Sequence, residues 1–517
     1  GKLMHIFQEN SPVILSACFA KDEGSIMQGD DKGFVKIWDG LSNSHQAFHE
    51  HIGNVLYISY SPDGNHFVTG GVDDYIVLWK KNGTVEKKIA LNEKLISLNY
   101  SVKGNINLIV EHDLGIKAIL DINGSKNEIL KQSSDQNKYA VFSPDGNSIF
   151  ATNYSNRIEQ FDLNGNKIKT IITPSQVIRI TVSADSKFLV AGYINGLTQE
   201  WDLNSELNIQ NIGNIDGDEV NLTSISSDNS YIAVGKISNS IILYDNKVKT
   251  STKLLGHSSF IFSLNFSKDN KMLLSNSMDG TMKIWDCKSG KEIATLIVLD
   301  SMDWVIRTPS GLFDASPSAM FKLKYRVGLE LIDLDQFKER YYEPGLFRTI
   351  LTLGQSALRD VSKFNKLKLY PEIDANIIGE ELEINLKKRS GGLGRVSVFI
   401  NDKEVIEDAN PERIEKLKPI KISDFEKYFT NNINLIRIRS FNKEGWLKSP
   451  PNEIIYNCQS SKGTKNGSNP SDSMPFFSGL RHLYALVIGT SDYSGDKLDL
   501  KFPDKDATHK VNLSLTY

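Results

Sequence analysis

The segment MKIWDC at residues 282–287 alternates apolar and polar residues and runs into a polar turn, which is the pattern of a short β-strand. Six further segments of the chain share this pattern. Aligned on one large residue, the seven segments bring into register Trp38, Trp79, Leu120, Phe161, Trp201, Tyr244 and Trp285. Successive members of this series are 40 to 43 residues apart. That period predicts a repeat architecture in which each unit forms four strands.

Turn signals lie in phase with these strands. The sequence SPDG occurs at 61–64 and again at 143–146, and related polar segments occupy the same place at 183–186 and 267–270. Proline fixes φ and glycine accepts a positive φ, so SPDG predicts a turn that joins the first two strands of a unit, and the two related segments take the same place in their units.

The repeat resembles that of the WD40 family over about residues 2–300. This resemblance implies a mainly β fold, a seven-bladed β-propeller, whose role is to present a rigid binding surface to a protein or peptide. In WD40 proteins a His, a Ser or Thr, an Asp and a Trp form a buried hydrogen-bonded tetrad. Two repeats carry this set at identical offsets: His51, Thr69, Asp73 and Trp79, and His257, Ser275, Asp279 and Trp285.

A Ser or Thr together with His and Asp is also the composition of a hydrolase triad. The structural interpretation is favoured, because the set recurs from one repeat to another and each copy has a tryptophan partner. Closure of the propeller stays open at this point, since Lys2–Phe7 and Lys291–Leu299 both have the pattern of an outer strand.

The chain changes character after Leu299. Residues 301–360 are predicted to be a connector with short helices, because the spacing over 328–353 is helical and is broken at Pro344. Residues 361–458 alternate in short stretches, which predicts an immunoglobulin-like β-sandwich with hairpin turns at Asn401-Asp402 and at 443–445. The polar stretch 459–479 is predicted to be a flexible linker.

The stretches LYALVIGTSDY at 483–493 and LDLKFPDKDA at 498–507, with WVIRTPSGLFDAS at 304–316 before them, resemble bacterial proteins that carry a caspase/metacaspase-like (peptidase C14-type) domain. The resemblance implies that 480–517 is the beginning of an incomplete α/β domain of a cysteine endopeptidase. The motifs of its His–Cys dyad do not occur, so no catalytic residue is assigned. Asp506 is the candidate substrate-binding acid for a basic side chain, and a helix N-terminal acid is the equally weighted alternative. A crossover helix is missing between Ala507 and Lys510, so a protease fragment or another protein is expected to complete the sheet.

Composition narrows the class of partner. The formal net charge of −3 gives no case for a nucleic acid or a membrane surface. Cys18, Cys287 and Cys458 are too few and too far apart for a disulfide framework or a zinc site, so no metal and no cofactor are expected. Without a signal segment, a reducing cytoplasmic location is expected.

Two functions therefore remain. In the first, the propeller senses or scaffolds a partner and regulates an attached caspase-like endopeptidase, while the chain itself is inactive. In the second, the chain is a non-catalytic WD40 scaffold or adaptor with a vestigial tail. A propeller enzyme is disfavoured, because no clustered acids or metal-ligand spacing is apparent at the turns predicted to face the channel.

Overall fold

The computed structural model describes the chain in these ranges: 2–4, 11–20, 24–39, 44–91, 94–101, 104, 106–112, 115–120, 127–129, 137–153, 156–205, 209–212, 217–327, 330–354, 358–359, 361, 367–430 and 433–457. The chain divides into two compact units. One holds residues 9–319 and 343–361, and the other holds residues 1–8, 320–342 and 362–517. All of the tail beyond 457, with the predicted linker, the caspase-like segment and Asp506, lies outside the described residues.

The larger unit contains seven antiparallel sheets in chain order, and each begins with four consecutive strands. Sheet 1 is Ile14–Phe19, Ser25–Asp30, Phe34–Asp39 and Ser44–His49; sheet 2 is Val55–Tyr60, His66–Gly71, Tyr75–Lys80 and Val85–Ala90; sheet 3 is Leu95–Tyr100, Ile106–His112, Gly115–Leu120 and Asn127–Ile129; sheet 4 is Asn137–Phe142, Ser148–Asn153, Arg157–Asp162 and Lys167–Ile172. Sheet 5 is Val177–Val182, Phe188–Tyr193, Thr198–Asp202 and Ile209–Asn211; sheet 6 is Val220–Ile225, Tyr231–Lys236, Ile241–Asp245 and Thr250–Leu254; sheet 7 is Ile261–Phe266, Met272–Ser277, Thr281–Asp286 and Glu292–Val298, extended by Trp304–Arg307 and Phe313–Ala315. The seven residues aligned from the sequence all fall in third strands.

Each first strand carries a β-bulge at the same place, three residues or fewer from its start. A bulge bends the strand and increases its twist. The first strands of consecutive sheets are neighbours, and the first strand of sheet 7 is a neighbour of the first strand of sheet 1. Two side-chain hydrogen bonds join these last two sheets, from Asn276 Nδ2 to Ile14 O at 2.7 Å and from Asn265 Nδ2 to Ala17 O at 2.6 Å.

The core lies between the sheets. Between sheets 1 and 2, for example, Met27, Val35 and Ile37 pack in one cluster with Phe67 and Trp79, and similar clusters join each later sheet to the next through sheet 7. Full burial of one such aliphatic or aromatic side chain contributes about 1.5–3 kcal/mol. The inner strands are therefore covered on both faces, because each sheet packs against the sheets before and after it.

The structure resolves the question of which segment completes sheet 7. Of the two candidate outer strands, the segment Lys291–Leu299 takes this place, because Glu292–Val298 pairs with the third strand of sheet 7. Lys2–Met4 instead pairs with Lys324–Val327 in the smaller unit, and Glu330–Asp333 completes that three-stranded sheet. The helical pattern predicted from residue 328 is therefore wrong at Glu330–Asp333, because cross-strand backbone pairing with Lys324–Val327 prevails over the local spacing.

The helical segments in the described part of the chain are short. They are Ala319–Lys322, the 3₁₀ helix Leu334–Phe337, Lys338–Tyr341, Leu346–Arg348, the π-helical turn Thr349–Leu353 and the 3₁₀ helix Ile422–Tyr428. The predicted break at Pro344 is present between Tyr341 and Leu346. Within the described residues, no helix is both long enough and apolar enough to cross a bilayer.

The smaller unit also contains two sheets that share one apolar core. The first consists of Glu372–Ile378, Glu381–Lys387 and Ile420–Lys421, and the second, in spatial order, of Lys403–Ile406, Val396–Ile400, Ile433–Ser440 and Asn452–Asn457. Leu382 and Ile384 of the first sheet pack with Val398 and Ile438 of the second. Asn401 and Asp402 have positive φ values of 47° and 67°, as the two central residues of the predicted hairpin turn require.

Candidate functional site

The first tetrad is formed in sheet 2. His51 Nδ1 lies 3.0 Å from Asp73 Oδ1, and His51 Nε2 lies 2.7 Å from Thr69 Oγ1. The indole N–H of Trp79 donates to the same hydroxyl oxygen at 2.8 Å. An ionised carboxylate can only accept a hydrogen bond, so Nδ1 carries the proton and Nε2 accepts the hydroxyl proton of Thr69.

Sheet 7 repeats this arrangement. His257 Nδ1 lies 2.9 Å from Asp279 Oδ2, and His257 Nε2 lies 2.8 Å from Ser275 Oγ. The indole N–H of Trp285 donates to Ser275 Oγ at 2.8 Å. The structure thus brings together all eight residues singled out from the sequence, each in the place that the tetrad pattern assigns to it.

These distances are also those of a Ser–His–Asp triad, so burial has to separate the two interpretations. Thr69 and Ser275 are 0% exposed, and a hydroxyl that attacks a substrate needs room for that substrate on one side. Their oxygens also accept a hydrogen bond from a tryptophan indole. The geometry supports a hydrogen-bonded tie between strands and leaves no approach to either hydroxyl.

The electrostatics agree with a neutral histidine beside an ionised aspartate in sheet 2. Burial lowers the pKa of His51, against the influence of Asp73. Burial alone would raise the pKa of Asp279, but hydrogen bonds from His257, Thr281 and the Ser258 amide outweigh it and lower that pKa to about 2. The pKa of Asp73 is lowered in the same way, with hydrogen bonds from His51 and the Ile52 amide outweighing burial.

The two tetrad aspartates lie in turns that share one geometry across the sheets. In five sheets, the amide that follows the second strand donates to the carbonyl that precedes the first strand: Asp31 to Val13 at 3.0 Å, Val72 to Asn54 at 2.9 Å, Ile194 to Gln176 at 3.1 Å, Ile237 to Glu219 at 3.0 Å and Met278 to Phe260 at 2.8 Å. Two residues later, each of these turns has a residue with positive φ: Gly33, Asp74, Gly196, Asn239 and Gly280. These five turns therefore present equivalent positions.

We call the surface formed by these turns and by the loops before the first strands the turn face. Its described residues are 11–13, 31–33, 50–54, 72–74, 91, 94, 173–176, 194–196, 217–219, 237–239, 255–260 and 278–280. Four of the five equivalent positions hold an exposed apolar residue, Val72, Ile194, Ile237 and Met278, and the adjoining loops add Ile52, Leu255 and Phe260. Their exposed fractions run from 38% for Phe260 to 81% for Ile52.

This apolar set was not found from the sequence. The available signal was a single apolar residue inside an otherwise polar turn, as in GGVDD at 70–74 and SNSMDG at 275–280. The turn face also carries acidic residues that were not singled out from the sequence: Asp31, Glu50, Asp74, Asp218 and Glu219. Across the described parts of the chain, no group of three or more His, Cys, Asp and Glu side chains could hold a metal ion.

Comparison with known proteins identifies the repeat. The family model "WD domain, G-beta repeat" matches residues 42–80 and 248–286. Each matched segment contains one complete tetrad, and the chain therefore contains WD40 repeats, as its sequence predicted.

The chain is also homologous to the echinoderm microtubule-associated protein-like proteins. It is 23% identical over 303 residues to echinoderm microtubule-associated protein-like 2 from Rattus norvegicus, which covers 55% of this chain and 45% of the relative. Human echinoderm microtubule-associated protein-like 1 is 22% identical over 316 residues, which covers 58% of this chain and 38% of the relative. Human echinoderm microtubule-associated protein-like 3 is 24% identical over 323 residues, which covers 55% of this chain and 34% of the relative. The chain spans less than half the length of these curated relatives.

Proposed function

We propose that this protein is a non-catalytic scaffold, a closed seven-bladed WD40 propeller at residues 2–300 that binds protein partners on its turn face. The connector at 301–360 and the sandwich at 361–458 act as spacers in this proposal. The observation that carries it is the recurrence of an exposed apolar side chain at equivalent turns, on Val72, Ile194, Ile237 and Met278. Solvent-exposed apolar patches of this kind mark interaction surfaces.

The tetrads support the same function by holding the turns of this face in place. They tie the turn that carries Asp73 or Asp279 to strands buried in the sheet, so the exposed residue next to each aspartate is held in a fixed place. Rigid positioning lowers the entropy that a partner has to lose on binding. The His–Ser/Thr–Asp sets are assigned to structure in this proposal, and no catalytic residue is assigned.

The test is quantitative affinity capture from source cells with the full chain as bait. The double variant Val72→Ser, Met278→Ser removes two apolar side chains from the turn face. Its matched control, Ile168→Ser, Ile172→Ser, removes from the outer strand of sheet 4 two apolar side chains that are at least as exposed. Partners retained by the wild type and by the control should be lost from the turn-face variant by about fivefold or more. An identical set of partners on all three baits would refute the proposal.

Microtubule association is a second candidate, because the homologous relatives are named as microtubule-associated protein-like proteins. Co-sedimentation of the full chain with polymerised tubulin would test it, and sedimentation at micromolar tubulin is the expected result. A chain that stays in the supernatant at every tubulin concentration would exclude this candidate while leaving the scaffold proposal intact.

Regulation of an attached caspase-like endopeptidase is the finer hypothesis. It depends on 483–493, 498–507 and Asp506, all outside the described residues, and on the segment 304–316, whose strands Trp304–Arg307 and Phe313–Ala315 extend sheet 7. Neither the family match nor the homologous relatives support it. The scaffold therefore takes precedence. Cleavage after basic residues by the native protein, abolished by a cysteine-directed inhibitor, would restore the endopeptidase hypothesis.

A further inference from the structure

The turn face is acidic as well as apolar. Among its described residues, the carboxylates belong to Asp31, Glu50, Asp73, Asp74, Asp218, Glu219 and Asp279, and the lysines are Lys32 and Lys94. Lys32 lies 3.6 Å from Asp31, so one of the two is already paired. Two lysines of the strands also reach this face: Lys88 Nζ donates to Glu50 O, and Lys236 Nζ donates to Gly196 O and Asp218 O at 2.7 and 3.0 Å. The seven carboxylates still outnumber these four lysines. The hydrogen bonds that hold Asp73 and Asp279 keep both of these carboxylates ionised. A ligand on this face therefore meets a negative potential.

Acidic and apolar side chains alternate around the face. Asp74 is exposed two residues from Val72, and Glu219 O accepts the Ile237 amide, which places Glu219 beside that turn. Gly33 of sheet 1 lies so close to sheet 2 that a Cβ there would be 2.1 Å from His51 O. Asp31 is thus brought next to the loop that carries Ile52. Sheets 6, 7, 1 and 2 form one continuous arc with both kinds of side chain.

Taking the proposed docking role of the turn face as its premise, we propose that the partner is a basic, amphipathic peptide segment, in which lysine or arginine alternates with large apolar side chains. Such a segment pairs its cations with Asp74 and Glu219 and covers apolar residues such as Val72 and Met278. A nucleic acid or an acidic peptide tail would be repelled by the same carboxylates. The exposed apolar side chains are spread over several turns, which suits an extended or helical peptide better than a small molecule.

The two kinds of contact respond differently to salt. Pairs between exposed charges are screened as the Debye length falls from about 14 Å at 50 mM to about 5 Å at 400 mM salt. Burial of apolar surface is not weakened by that change. Salt dependence therefore distinguishes a loss of charge pairing from a loss of apolar contact.

The experiment measures binding of fluorescent peptides to the full chain. The probe has about a dozen residues with alternating lysine and leucine, and its comparison peptides replace lysine by glutamate or leucine by serine. The protein variants are Asp74→Asn, which keeps a residue type that tolerates the positive φ of 58° at this position, and Val72→Ser, Met278→Ser. Glu86→Gln on the exposed outer strand of sheet 2 is the matched charge control.

We expect the lysine–leucine peptide to bind at least about tenfold more tightly than the glutamate peptide at 50 mM salt. Asp74→Asn should weaken it about two- to fivefold at 50 mM and little at 400 mM salt, while Glu86→Gln has no effect. The Val72→Ser, Met278→Ser variant should weaken it at both salt concentrations.

The alternative results separate this inference from its premise. Equal binding of the lysine and glutamate peptides, both sensitive to Val72→Ser, Met278→Ser, overturns the basic partner and leaves the docking face standing. Undiminished binding of the lysine peptide to that variant overturns the docking face itself. Absence of binding by every peptide overturns the basic partner, and the capture experiment then decides the docking face independently.

Discussion

The hydroxyl of Ser275 makes two hydrogen bonds in the interior of sheet 7, one with His257 and one with Trp285. The same three residue types would form a nucleophile and its base if the oxygen faced solvent. Here the oxygen is enclosed, and its removal would leave the indole N–H and the imidazole nitrogen without a partner. A buried polar group that loses its partner costs about 1–3 kcal/mol.

Substitution Ser275→Ala should therefore lower the free energy of unfolding by about 1–3 kcal/mol. Urea denaturation followed by tryptophan fluorescence measures this. The control is Ser289→Ala, an exposed turn residue of the same sheet that accepts no indole N–H, and its effect should stay within about 0.5 kcal/mol. Equal stability of the two variants would contradict the structural role of the tetrad.

Acid should destabilise the protein through Asp279. Its pKa is lowered from 3.8 to about 2 by hydrogen bonds made only in the folded state. A carboxyl with a depressed folded pKa contributes stability that is present above the unfolded pKa and is lost as the pH falls through the folded one, here between about pH 4 and pH 2. The contribution is about 2 kcal/mol.

The check is the free energy of unfolding from pH 7 to pH 2 for the wild type and for Asp279→Asn. The wild type should lose this stability below pH 4, and the variant should lose about 2 kcal/mol less over that window. Parallel curves would contradict the assignment. His51 acts in the same direction at higher pH, because a histidine with a lowered folded pKa destabilises the fold as the pH falls below 6.5.

At the residue scale, the sequence predicted the members of both tetrads because their offsets repeat. Val72 and Met278 were not predicted. An apolar residue in a turn indicates a binding surface only when the structure shows that its amide is hydrogen-bonded to the neighbouring loop and that its side chain is exposed. Gln28 was not predicted either: it takes the place of Ser275 in sheet 1 and accepts the Trp38 indole N–H at 2.8 Å. A long amide there breaks the His–Ser/Thr–Asp–Trp pattern.

At the scale of the element, the turn between the second and third strands depends on a left-handed residue and on a close approach of the next sheet. Gly33 meets both conditions, since its φ is 87° and a Cβ would lie 2.1 Å from His51 O. Gly104, which lies in the turn between the first and second strands of sheet 3, has the same φ of 87°, but a Cβ there would have nothing within 4 Å. Substitution of Gly104 therefore introduces backbone strain alone, whereas substitution of Gly33 adds a steric conflict between two sheets.

We expect Gly104→Ala to cost about 1–2 kcal/mol of stability, the cost of a left-handed non-glycine residue. Gly33→Ala should cost about 1–3 kcal/mol more, because the backbone of His51 has to move. Thermal denaturation of both variants measures the difference. Identical losses would mean that sheets 1 and 2 do not approach each other at this turn.

Elements were predicted unevenly from the sequence. The seven third strands and the SPDG turns were predicted correctly, because alternation and turn residues are local signals. In the turns, the amides of Gly64 and Gly146 donate to Ser61 O and Ser143 O at 2.9 and 2.8 Å. The strand Glu330–Asp333 was missed, because its partner Lys324–Val327 and the distant Lys2–Met4 decide its conformation. The bulges left no composition signal at all.

At the scale of the whole molecule, the repeat period predicted seven sheets, and WD40 repeats are confirmed by the family match at 42–80 and 248–286. The period alone could not show whether the first sheet meets the last. That depends on contacts between residues about 260 positions apart, such as Asn276 with Ile14, for which no local pattern exists. In the proposed closed propeller, the described turns of sheets 6, 7, 1 and 2 lie on one continuous face.

Closure of the ring is therefore the claim on which the docking face rests, and one pair of variants tests it most directly. Asn276 Nδ2 donates to Ile14 O across sheets 7 and 1 at 2.7 Å, and Asn221 Nδ2 donates to Ile261 O across sheets 6 and 7 at 2.9 Å. In a closed ring, Asn276→Ala and Asn221→Ala should each lower the free energy of unfolding by about 1–3 kcal/mol in urea. A loss in Asn221→Ala with none in Asn276→Ala would show that sheets 7 and 1 are not joined.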